Sequence, residues 1–172
     1  MNNQQVNVGI IGLGTVGTGV ARVLLQQREL LKARTQVVFN LKAISELNWE
    51  KDRNLDLSTV KCTTDVNELL EDPDIDVIVE TIGGYEPAFS FVTKALQNHK
   101  HVVTANKALV ATHGRELFKT AQENGVSLMF EASVGGGIPI IKGLREGLIA
   151  NKIERIYGIL NGPGPVVFPF PF

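Results

Sequence analysis

Three glycines near the N-terminus constrain the fold of this chain more than any other feature. Gly12-Leu13-Gly14-Thr15-Val16-Gly17 has the spacing G-x-G-x-x-G. It follows a short apolar, β-branched run, residues 6–11, and leads into Val16, Val20, Val23, Leu24, Leu30 and Leu31, which recur at helical spacing. A strand, a tight turn and a helix in that order place the three glycines where each has a mechanical reason. The first allows the turn, the second leaves no side chain between backbone and a diphosphate, and the third lets helix and strand pack closely. The helix N-terminus then offers unpaired N–H groups and partial positive charge to an anion. The segment reads as the diphosphate loop of a dinucleotide site.

The rest of the chain repeats the alternation. Residues 36–45 read as a second strand, 46–56 as a polar loop, and 59–62 as a weak third strand. Asp65 and Glu68 have the form of a capping box opening a short helix through Leu70, closed by Pro73. Residues 75–81 are nearly continuously apolar, the pattern of a strand covered on both faces. Pro87 suits the first turn of a helix to about residue 98, and residues 101–104 form the next strand. Helical spacing returns at Leu109 and again over 115–125, followed by a strand at 126–130. Pro139 opens a helix carrying Ile140, Ile141, Leu144 and Leu148, and residues 153–160 close as a strand. The predicted architecture is α/β: a doubly wound, mostly parallel sheet with helices on both faces. Residues 1–160 are read as one dinucleotide-binding domain and 161–172 as an atypical tail, because four of the chain's seven prolines lie there among apolar residues.

Charge and composition exclude other classes. Lys+Arg 17 against Asp+Glu 18 gives a formal net charge of -1, no footprint for a nucleic acid backbone. A single cysteine, Cys62, permits no internal disulfide and fits a reducing compartment, so the chain is read as cytoplasmic. The N-terminus lacks the basic and small-residue pattern of a signal peptide, and glycines and prolines break the only long uncharged stretch, 156–172, too often for a membrane helix. His99, His101 and His113 lack the spacing of a transition-metal site.

Three further segments begin where a strand ends: Val79-Glu-Thr-Ile-Gly-Gly84, His101-Val-Val-Thr-Ala-Asn-Lys107 and Phe130-Glu-Ala-Ser-Val-Gly-Gly-Gly-Ile-Pro139. In an open α/β sheet such junctions meet at the ligand crevice. At the second strand's end, Glu46 offers a ribose-hydroxyl acceptor and Lys51 or Arg53 a 2'-phosphate partner, which leaves NAD and NADP both open. Together with the glycine fingerprint, these segments resemble homoserine dehydrogenase over about residues 6–162. The resemblance implies a Rossmann domain and hydride transfer with NAD(P)H between L-aspartate 4-semialdehyde and L-homoserine, in the pathway to threonine and methionine, by a homo-oligomeric enzyme. It implies diphosphate contacts from Gly12, Leu13, Gly14, Thr15, Val16 and Gly17, with Thr81 beside the nicotinamide and Lys107 at the junction of cofactor and substrate. A buried lysine facing a carbonyl can polarise it or relay a proton, and the alternative is a surface lysine opening a helix. The resemblance further implies a sodium loop formed by Glu131, Val134, Gly136 and Ile138, although Glu131 also suits a brace to backbone N–H groups.

The departure lies at the end. Where family members continue with a pair of threonines and a substrate and dimerisation domain, Asn161-Gly162 is followed here by Pro-Gly-Pro. The alternative reading is a truncated dinucleotide-binding fragment without turnover.

Overall fold

The structure, a computed structural model, describes residues 4–156. Six strands form one sheet: β1 (Gln4–Ile11), β2 (Val37–Ser45), β3 (Lys61–Thr63), β4 (Val77–Glu80), β5 (His101–Thr104) and β6 (Leu128–Met129). All are parallel, in the order β3-β2-β1-β4-β5-β6. That order is the doubly wound arrangement, which reverses direction between β1 and β4 and opens a crevice at their carboxyl ends.

Side-chain alternation explains why both faces are covered. Ile10, Ile44 and Val79 join one buried cluster, beneath Ala21 of helix α1 (Thr15–Gln26). Their neighbours Ile11, Ala43 and Ile78 join the opposite cluster, with α3 (Asn67–Leu70), α4 (Ala88–Gln97) and α5 (Lys107–Glu123). A bulge at Lys42, between the pairs Val8 with Leu41 and Gly9 with Ala43, lets β2 keep apolar residues on both sides of the shift.

Several boundaries differ from the sequence reading. The first helical run is two helices, α1 and α2 (Arg28–Thr35), and Gln36 ends α2 at φ 60, so β2 starts at Val37. Asp65 accepts from Asn67 N–H, but Glu68 turns to the Thr63 hydroxyl and the Lys61 ammonium, so only half of the capping box forms. Helix α5 is continuous: its apolar stripe looks interrupted in the sequence because Gly114 occupies the buried position between Val110 and Leu117. β6 is two residues long. The helix expected after Pro139 is a single turn, α6 (Ile140–Lys142), passing into a π-helical turn at Gly143–Gly147, where two glycines weaken regular helix. Residues 153–156 form no strand; 157–160 and the Pro/Phe-rich tail 161–172 lie outside the described residues. The crossover from β2 to β3 carries no helix and packs Trp49, Leu55 and Leu57 onto the α1 side of the sheet. No helix among the described residues is long and apolar enough to cross a membrane.

Candidate dinucleotide site

The glycine turn joins the end of β1 to α1, and its three glycines are required for different reasons. Gly12 adopts φ +91, and a Cβ there would meet Ile82 Cγ2 at 2.7 Å. At Gly17 a Cβ would lie 2.1 Å from Gly12 O and 2.7 Å from Thr81 Oγ1. Neither position can carry a side chain in this fold. Gly14 is different: a Cβ there would meet nothing within 4 Å, and its φ of -72 suits any residue. The protein itself gives no reason for a glycine at 14, which fits a position kept clear for a ligand. No side chain caps α1, and no acid stands in its first turn. By contrast, Asn106 Oδ1 caps α5 by accepting from Leu109 N–H. Gly14, Thr15 and Val16 are exposed at the uncapped end, whereas Gly12, Leu13 and Gly17 are buried.

Thr81, at the end of β4, donates its hydroxyl to Gly12 O at 2.8 Å, so the nicotinamide-side residue read from the sequence touches the glycine turn. On the other side, both Glu46 and Arg53 brace that turn. Glu46 Oε2 accepts from Leu13 N–H at 2.6 Å and Oε1 from Asn48 N–H at 2.9 Å. Arg53 donates from Nε to Leu13 O at 2.7 Å and from its other nitrogens to the carbonyls of Lys51 and Asn48. With its side chain 8% exposed and 3.7 Å from the Glu46 carboxylate, Arg53 is committed to structure. Lys51 is exposed.

Burial works against charge on Glu46, but the N–H groups of Asn48 and Leu13 and the Arg53 guanidinium outweigh it and hold its pKa below the ordinary carboxylate value. A folded pKa below the unfolded one contributes stability that is fully present above the unfolded value, and this is lost as pH falls through the folded value. The urea midpoint of the parent should therefore drop more between about pH 6 and about pH 3 than that of Glu46→Gln, a difference that parallel curves would remove.

The remaining junctions converge at the ends of β4 and β5. Asn106 Nδ2 donates to Gly84 O at 2.7 Å, and Ser133 Oγ donates to Thr104 O at 2.8 Å. Lys107, the first residue of α5, stands next to Asn106 and is exposed, a surface lysine opening a helix and not a buried one. Glu131 uses both oxygens as a brace, accepting from Ile141 N–H at 2.9 Å and Lys142 N–H at 2.8 Å. Gly135 and Gly136 have φ of 73 and 62, while Val134 is half-buried and Ile138 exposed. Among the described residues no three His, Cys, Asp or Glu side chains gather into a metal cluster. An open apolar groove of about 560 Å3 runs along the α1 face from Val16 past Val20 and Leu24 to Phe39.

Sequence reasoning missed Glu80 and the bracing role of Arg53. An acid directly after the apolar run 77–79 was the available signal for the first. Nothing local marked the second, whose partners lie up to 40 positions away.

This geometry agrees with comparison to known proteins. A family model for the homoserine dehydrogenase NAD binding domain matches residues 12–131. The chain belongs to this family. Homoserine dehydrogenases of Bacillus subtilis and Pseudomonas aeruginosa are 43% and 47% identical to it, over 91% and 92% of this chain. The crystal structure of a homoserine dehydrogenase from Thiobacillus denitrificans superposes with a TM-score of 0.80 at 47% identity, covering 86% of this chain and 34% of that one. A hyperthermophilic archaeal homoserine dehydrogenase in complex with NADPH gives 0.68 at 27% identity, covering 86% and 50%. The chain spans 36% of the length of those two curated homoserine dehydrogenases.

Proposed function

We propose that residues 4–156 hold NAD or NADP as the dinucleotide-binding part of a homoserine dehydrogenase, serving hydride exchange between L-aspartate 4-semialdehyde and L-homoserine. The observation that carries this reading is Gly14, a glycine that no protein atom requires, at the uncapped start of α1. When bound, the dinucleotide supplies or accepts the hydride. The chain's own groups bind and orient: N–H groups of residues 14–17 face the diphosphate, Thr81 stands at the nicotinamide side, and the exposed Lys107 Nζ can donate a proton to a substrate carbonyl oxygen. Titration of the chain with NADH and NADPH tests the reading. Saturable binding of at least one supports it, and binding of neither overturns it.

The same reading extends to sodium held by oxygens of Glu131, Val134, Gly136 and Ile138. A carboxylate beside a glycine-rich turn is suitable donor chemistry for a hard monovalent ion. Because Glu131 also braces α6, Glu131→Gln should lower the melting temperature in every salt, by roughly 1 to 3 kcal/mol of stability. Only a cation site adds an increment in sodium over a bulky organic cation at equal ionic strength, and that increment should vanish in the variant. Coincident parent melts in the two salts would leave Glu131 as a brace alone.

A further inference from the structure

Glu80 is fully buried at the end of β4, directly after Ile78 and Val79. Its Oε1 accepts from Ile82 N–H at 2.9 Å and Gly83 N–H at 3.2 Å, and its Oε2 accepts the Thr104 hydroxyl. Thr104, also fully buried, accepts in turn from Asn106 N–H at 3.0 Å. Asn106 closes the circuit by donating to Gly84 O and capping α5. One carboxylate thus connects the turn after β4 to the start of α5, and through the Thr104 carbonyl to Ser133.

A buried acid is costly unless it is fully hydrogen-bonded, and an apolar residue would pack the end of this strand at lower cost. What the carboxylate adds is direction. It holds a turn with two left-handed glycines, Gly83 at φ 76 and Gly84 at φ 75, in one shape at the crevice mouth.

We infer that Glu80 is a positioning residue for the nicotinamide side of the site, fixing residues 81–84 against the start of α5 where Asn106 and Lys107 stand. This rests on the dinucleotide reading above. It predicts that losing the carboxylate affects recognition of the nicotinamide half and spares the adenosine half, which Glu46 and Arg53 organise on the far side of β1.

The test compares two ligands on the 172-residue chain and its variants: reduced dinucleotide, and the matching ADP-ribose or 2'-phospho-ADP-ribose, which lacks only the nicotinamide. Glu80→Gln keeps side-chain volume but directs an amide N–H at one of three donors. It should weaken reduced dinucleotide about tenfold and diminish the bound nicotinamide fluorescence, while the ADP-ribose ligand changes less than about twofold. Thr104→Val should reproduce this split, and Thr104→Ser, which restores the hydroxyl, should reverse it. Equal weakening of both ligands, or no change in either, overturns the inference, since a merely structural acid would not distinguish them. If Glu80→Gln fails to fold, the Thr104 pair decides in the same way. A parent chain that binds neither ligand overturns the dinucleotide reading as well, whereas a binding parent with unselective variants overturns only the role of Glu80.

Discussion

A Gly14→Val chain is expected to fold and melt almost as the parent does, yet to lose at least about a hundredfold in dinucleotide affinity, roughly 2.7 kcal/mol or more. The two halves of that result come from one observation. The added Cβ meets no protein atom within 4 Å and the backbone there is in a region open to every residue, so the fold loses only about 1 kcal/mol for the poorer cap. A diphosphate lying along the uncapped α1 terminus would meet the valine directly. Gly17→Val is the necessary contrast: with Gly12 O 2.1 Å from the new Cβ, it should cost several kcal/mol and unfold the chain before binding can be asked about. Calorimetry of the ligand and a thermal melt of both variants check the pair. A Gly14→Val chain that binds as tightly as the parent would remove the diphosphate assignment.

The second large effect concerns turnover. A polypeptide confined to residues 1–172 should bind dinucleotide and leave aspartate semialdehyde essentially unreduced. It spans 36% of its curated relatives, and among the described residues at the ends of β4 and β5, Thr81, Asn106 and Lys107 offer no carboxylate pair for an amino acid's ammonium. Orientation of substrate against cofactor is worth roughly 7 to 11 kcal/mol in favourable cases, and forfeiting most of it costs on the order of 10⁵ in rate. Following NADPH absorbance with the semialdehyde on polypeptide of verified mass decides this. A turnover number of about 1 per second or more would mean that these residues hold a complete active site.

What the sequence disclosed and what it withheld divide along physical lines. Features set by local covalent freedom were legible: the glycine turn, the alternation of strands and helices, the start of α4 after Pro87, and the three strand-end segments that meet at Thr104 and Gly84. Features set by distant partners were not. Arg53 looks like any charged loop residue until the fold brings Leu13 O to it, and Glu46 was open to several roles because its N–H donors include one 33 positions earlier. Gly114 hid the continuity of α5, since a glycine on a buried stripe is invisible to a count of apolar side chains. Lys107 was expected in a buried setting, and a family motif carries no information about solvent access.

The crossover between β2 and β3 has one more consequence. Where a helix would hold itself together through its own ladder, residues 46–60 rely on short polar turns, such as Asn54 N–H on Asp52 and Ser58 N–H on Asp56, and on a single guanidinium spanning three carbonyls. One of those carbonyls belongs to Leu13. The segment is therefore tied to the glycine turn through Glu46 and Arg53, and a ligand that clamps the turn is expected to slow amide exchange across 46–60 as well. The glycine turn and the longest irregular stretch between strands among the described residues are thus joined through one side chain, Arg53.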